Sequence, residues 1–123
     1  MKSPRSGQPP VYAVKADFFR VLGHPARVRI LQLLRDGERS VGALQEALEL
    51  DSSAVSQHLA ALRRQGLVSS RRDGTSVYYR VSDPRTLELL ELAKAIITST
   101  LELNQALLDD LATEEFAPGP DGG

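Results

Sequence analysis

The 123-residue chain contains no cysteine and only one methionine, at position 1. Disulfides, thiolate metal sites and thiol redox switches are therefore excluded, and sulfur oxidation within the fold with them. Histidine is scarce too: His24 and His58 are the only two, and they fall on different elements of the pattern described below. With no cysteine nucleophile, no metal-ligand cluster and no phosphate-binding glycine loop, the chain does not read as an enzyme, and it calls for no cofactor. No apolar run approaches the ~20 residues needed to span a bilayer. The stretch Met1 to Pro10 lacks the apolar core of an export signal, so a cytoplasmic location is expected.

What is present is ordinary in amount and uneven in distribution. Hydrophobic residues make up 41% and charged residues 25%, as in a folded soluble domain, and the length suits one such domain. The formal net charge of −1 conceals a division along the chain. Residues 1–50 carry 8 Lys/Arg against 5 Asp/Glu and residues 51–82 carry 5 against 2, whereas residues 83–123 carry 2 against 9. The first two stretches are thus +3 each and the last is −7. Charge acts locally because salt screens it over about 8–10 Å, so a basic front half can meet a polyanion while an acidic rear stays remote.

Proline, glycine and serine mark the ends: residues 1–10 read as a flexible arm and residues 112–123 as a disordered tail, leaving 11–111 as the folded domain. Within it the apolar spacing is mainly helical. Val11, Val14, Phe18, Phe19 and Leu22 recur at three and four residues and predict a first helix ended by Gly23. Pro25 suits the first turn of a second helix carrying Val28, Ile30, Leu31, Leu33 and Leu34, closed by Asp36–Gly37. Ser40 is a candidate N-cap for a short third helix with Val41, Leu44, Ala47 and Leu48. Asp51, Ser52 and Ser53 offer N-caps for a fourth, running to Gln65 and stopped by Gly66. The period then changes. Leu67 to Arg72 and Ser76 to Val81 are Val- and Tyr-bearing runs separated by Asp73–Gly74, which predicts a hairpin. Asp83–Pro84 opens a long last helix, roughly Arg85 to Leu111. The expected fold is mainly α with a small β-hairpin, in the order α-α-α-α-β-β-α: a winged helix-turn-helix.

The third and fourth helices, joined by the tight turn Glu49–Leu50–Asp51, have the helix-turn-helix arrangement whose second helix enters the DNA major groove. At ~100° per residue, Leu59 and Leu62 each fall within about 40° of Val55, and the three form the buried stripe. The opposite face presents Ser53, Gln57, Ala60 and Arg64, flanked by Ala54 and Ser56. Solvated helix faces favour Lys and Glu, yet no Lys, Arg, Asp or Glu occurs from Ser52 to Leu62. A small, uncharged, polar face can approach base edges, and Gln pairs with adenine in a bidentate way. The candidate base-reading residues are Ser52, Ser53, Ala54, Ser56 and Gln57. Candidate backbone contacts are Arg64 and, on the hairpin, Arg71 and Arg72, since arginines on a wing position a protein on phosphates. His58 lies at the edge of the buried stripe; packing against a neighbouring helix is its expected role, with a phosphate contact as the alternative.

The last helix is apolar on more than one face, from Leu87 through Leu111. One small domain cannot cover so wide a stripe, and a two-fold homodimer would, placing Val14, Phe18, Leu90, Ala93, Ile97, Leu101 and Leu108 at the interface. The competing arrangement is an intramolecular bundle of the first and last helices. A dimer also suits DNA, whose half-sites lie about one duplex turn apart.

Several motifs in one order give the chain a family likeness. Phe18-Phe19-Arg20-Val21-Leu22-Gly23-His24-Pro25-Ala26-Arg27-Val28-Arg29-Ile30-Leu31 resembles the opening signature of the ArsR/SmtB-type bacterial repressors. Ser53-Ala54-Val55-Ser56-Gln57-His58-Leu59-Ala60-Ala61-Leu62, then Gly66-Leu67-Val68, resembles their recognition helix and wing entry; Arg71-Arg72-Asp73-Gly74 and Val77-Tyr78-Tyr79 resemble their wing. The likeness spans about residues 11–111 and is nearest an actinobacterial, non-metal-sensing branch. It implies repression: a dimer on an inverted repeat, partnered by double-stranded DNA and released by a signal. The family's usual signal is a metal, but its cysteine pair would fall at Ser40 and Gly42, and no histidine follows His58 to serve the last-helix site. Glu88, Glu91 and Glu102 read better as a solvated side, since borderline metals prefer Cys and His. A small organic effector between the first and last helices, or no ligand at all, are the remaining schemes. The functional alternative is a winged-helix module used only for protein contacts, which Gln57, Arg71 and Arg72 would discriminate.

Overall fold

The computed structural model describes residues 7–116, which fall into two compact units divided between Leu87 and Glu88. The element order is α1 (Val11–Leu22), α2 (Pro25–Leu33), β1 (Arg39–Ser40), α3 (Val41–Leu48), α4 (Ser52–Arg64), β2 (Val68–Asp73), β3 (Ser76–Val81) and α5 (Arg85–Phe116). The arm at residues 1–6 and the tail at residues 117–123 lie outside the described residues.

Local signals start and stop the helices. Pro25 occupies the first turn of α2, where a missing N–H costs nothing, and the His24 ring accepts from the Ala26 N–H at 3.2 Å. The Ser40 hydroxyl caps α3 by accepting from Ala43 N–H at 3.1 Å, and the Asp51 carboxylate caps α4 by accepting from Ala54 N–H at 2.8 Å. Between α3 and α4 the chain reverses through Glu49, the one described non-glycine residue at positive φ (55°). A left-handed residue here satisfies the end of α3 and turns α4 across it.

The core of the first unit comes from one face of each helix. Ile30, Leu31 and Leu34 of the α2 region, Leu44 of α3, Val55, Leu59 and Leu62 of α4, and Leu67–Val68 at the hairpin entry are all buried. Burial of each such side chain is worth about 1.5–3 kcal/mol, so the three α4 residues lock that helix to the body at a set rotation. The buried stripe is the one that helical periodicity predicts.

The sheet has a strand that periodicity does not reveal. Its order is β1-β3-β2, antiparallel throughout, with Arg39 opposite Tyr79 and Ser40 opposite Tyr78. Two residues are too few to show an alternating pattern, so only pairing defines β1. The hairpin turn also sits one residue later than the Asp73–Gly74 reading: Asp73 pairs with Ser76, and the loop is Gly74–Thr75. Gly74 takes φ 65° at the first central position, where a type II′ turn calls for glycine. The fold is therefore a winged helix-turn-helix with a three-stranded wing.

The second unit is the remainder of α5. The helix ends at Phe116 rather than near Leu111, correcting the expected start of the tail at residue 112. Ala112 to Glu115 contain no helix breaker, and Pro118 is the first residue that forbids continuation. At its other end, Asp83 accepts from the Arg85 N–H at 3.0 Å. No helix among the described residues is long and apolar enough to cross a membrane.

Candidate nucleic-acid interface

The first half of α4 has the two-sided character that groove entry requires. Its back is fixed by Val55 (0% exposed) and Leu59 (1%). Its front carries Ser52, Ser53, Ser56 and Gln57, all exposed, with Ala54 half-buried at the margin. The Asp51 cap consumes one free N–H of the first turn, and the positive end of the helix dipole stays with the serines. This face offers hydroxyl and amide groups with no competing charge.

Arg64 is exposed at the far end of the same helix. It lines an open hollow of about 280 Å³ with Asp17, Arg20, Val21, Arg27, Ala61 and Gln65. There Asp17 accepts from Arg20 Nε (3.1 Å) and from Gln65 Nε2 (2.9 Å), which ties α1 to the residue closing α4. The Arg20 guanidinium holds the Asp17 carboxyl below its usual range, so it is ionised at neutral pH.

His58 packs inward, as its place on the wheel predicts. Its Nδ1 accepts from Arg27 Nε at 3.2 Å, and its ring lies 4.4 Å, centroid to centroid, from His24. Burial lowers its pKa, assisted by repulsion from His24 and Arg27. His24 also uses Nδ1 as an acceptor, from the Ala26 N–H. The His58 Nδ1 is thereby taken by Arg27 of α2, a bond to a neighbouring helix. The two histidines, distant in sequence, form one packed pair joining the start of α2 to α4; no spacing rule links residues 34 apart. Among the described residues no group of three or more His, Asp or Glu side chains is placed to hold a metal.

The two wing arginines differ. Arg72, opposite Val77, is exposed and makes no hydrogen bond or ion pair with a described residue. Arg71 is engaged three ways. Its Nε donates to both Glu38 oxygens (3.1 and 2.9 Å) and its Nη2 to Glu38 Oε1; its Cζ lies 4.7 Å from the Tyr78 ring centre; Asp73 Oδ2 stands 3.8 Å from Nη1. Glu38 escaped notice in the sequence because it lies 33 residues from Arg71, just outside β1.

The expected interface residues are variously exposed in the single chain. Val14, Ile97, Leu101 and Leu108 are 51–61% exposed, while Phe18, Leu90 and Ala93 are half-buried. Val11, Tyr12 and Phe19 on α1, and Leu92, Ile96, Leu103, Leu107 and Leu111 on α5, are also more than half exposed. On each unit taken by itself, exposed large apolar side chains in such number leave apolar surface without a partner in the single chain.

Comparison with known proteins agrees with this geometry. Residues 24–70 match the family model of the bacterial regulatory proteins of the arsR family. The HTH-type transcriptional regulator Rv0081 of Mycobacterium tuberculosis, itself uncharacterised, is 46% identical over 103 residues, spanning 83% of this chain and 90% of the relative. Its crystal structure superposes with a TM-score of 0.74 at 44% identity, over 79% of this chain and 98% of that one. A solution structure of Mb0332 from Mycobacterium bovis, a homodimeric winged helix-turn-helix DNA-binding domain, gives a TM-score of 0.66 at 34% identity, over 79% and 94% of the two chains.

Proposed function

Because the chain belongs to the ArsR family of bacterial regulatory proteins, we propose that it is a cytoplasmic transcriptional repressor, not an enzyme, that binds an inverted-repeat operator as a homodimer. The observation that carries this reading is the exposed, uncharged front of α4 set on a fully buried back. Ser52, Ser53, Ala54, Ser56 and Gln57 read bases, with Gln57 the principal discriminator through its bidentate amide. Arg64 and Arg72 contact phosphates and set the register.

The second copy buries the apolar residues that a single chain leaves in water, with Val14, Phe18, Leu90, Ala93, Ile97, Leu101 and Leu108 at the interface. The M. bovis homodimer supports this assembly, as does the need to present two recognition helices to successive turns of one groove face. Release cannot involve a thiol, because the chain has none. Its signal is a ligand or partner that favours another geometry of the dimer.

The test is retardation of a duplex carrying the promoter of the protein's own operon at two salt concentrations. Specific retardation that fades as salt rises supports the reading. Equal affinity for all duplexes, or a sample that sediments as one subunit, overturns it.

A further inference from the structure

We propose that Arg71 is a positioning residue, held by Glu38 and Tyr78 as a strap that fixes the wing to the helix-turn-helix, and that Arg72 alone of the pair meets DNA. This rests on the DNA-binding reading above and refines which wing residue serves it.

The register carries the inference. Arg71 on β2 lies opposite Tyr78 on β3, and Tyr78 lies opposite Ser40 on β1. Glu38 is two residues before Ser40, and so belongs to the same side of that strand's line. With strands ~4.8 Å apart, the side chain of Arg71 crosses the sheet over the Tyr78 ring and ends on the carboxylate beyond its far edge. The fork of the guanidinium is filled by that carboxylate in the geometry a phosphate would otherwise take. Asp73 supplies a second negative charge at 3.8 Å. A phosphate approaching Arg71 would therefore meet two carboxylates around one cation.

The mechanical consequence follows from what each end holds. Glu38 leads directly into β1, whose Ser40 caps α3, the first helix of the helix-turn-helix. Arg71 stands on β2, the strand farthest from β1 in the sheet. The pair joins the free edge of the wing to the start of α3, so it sets the angle at which the hairpin tip, with Arg72, leaves the domain. Arg72 is the next residue on β2, so its side chain leaves by the opposite face. Each partner shifts the other toward its charged form, Glu38 downward and Arg71 upward, as a persistent pair should.

The test compares Glu38→Gln, Arg71→Ala, the double variant, Arg72→Ala, and the exchange Glu38→Arg with Arg71→Glu. Operator affinity is measured across a salt series, and amide exchange is followed in Val77–Arg80. An exposed pair is a modest contributor, so Glu38→Gln and Arg71→Ala should each weaken binding about fivefold. The double variant should be no weaker than either single one, the salt slope should not change, and the exchanged pair should recover affinity. Hairpin amides should exchange faster in both single variants without DNA. Arg72→Ala should instead lower the salt slope by about 1. Tighter binding by Glu38→Gln together with a shallower slope in Arg71→Ala would make Arg71 a phosphate contact and overturn the strap. Unchanged amide exchange in both variants would overturn it whatever DNA does. If Gln57→Ala, Arg72→Ala and Arg71→Ala all leave DNA binding intact while hairpin exchange quickens, the strap stands and the DNA reading falls.

Discussion

The recognition helix and the wing are adjacent in sequence and are built on opposite principles. Helix α4 is specified from behind: three side chains at helical spacing are buried, and the exposed front of its first half carries no charge and, among the described residues, no side-chain bond. The wing is specified across its face, by an arginine, a tyrosine ring and a glutamate from three different segments. The α4 front is left exposed, while a charged wing residue is engaged within the domain. Counting arginines on the wing therefore overstates how many are free of an acidic neighbour.

The largest expected effect breaks the helix from behind. Leu59→Ala leaves a cavity in a fully buried site and should cost about 2–5 kcal/mol in denaturant unfolding. A loss below 1 kcal/mol would mean that α4 is not locked as described. The same helix altered from the front should behave otherwise. Gln57→Ala should leave stability within about 0.5 kcal/mol and remove about 1–3 kcal/mol of discrimination at one base pair, read from affinities for an operator and its single-base variants. Unaltered discrimination would separate Gln57 from base reading.

Removing the cap tests whether the end of α4 matters as much as its faces. Asp51→Ala deprives Ala54 N–H of its acceptor and should cost about 1 kcal/mol, seen as a lower thermal midpoint. Asp51→Asn, which can still accept, should lose less than half as much.

The smallest effect concerns the histidine pair behind the reading face. The folded state holds the His58 pKa below 6.5 through burial, assisted by repulsion from His24 and Arg27, so the unfolded chain takes up the proton first as pH falls. Its contribution to stability is complete well above pH 6.5 and declines as pH drops through that value. Unfolding midpoints measured from pH 8 to 5 should fall on the acid side, and His58→Gln should flatten the decline. An unchanged pH profile in that variant would show that His58 does not titrate with folding.

Much of this was legible in the residues. Pro25, Ser40 and Asp51 act as helix starts because capping is a local bond, and the stripe of Val55, Leu59 and Leu62 is buried because helical spacing puts those residues on one side. The front of α4 stood out by the charge it lacks. The end of α5 is not legible because sequence between Leu111 and Pro118 carries no stop signal, and β1 is invisible because two residues have no period.

The chain alone determined its helical order, the exposed uncharged face of α4 and the absence of any thiol chemistry, because spacing, capping and composition act over a few residues or over none. Tertiary structure alone decided that His24 meets His58, that Asp17 meets Gln65, and that Glu38 meets Arg71. Those pairs join residues 33 to 48 positions apart, and charge or hydrogen-bond complementarity over such distances acquires meaning only once the core has packed and fixed which surfaces face each other.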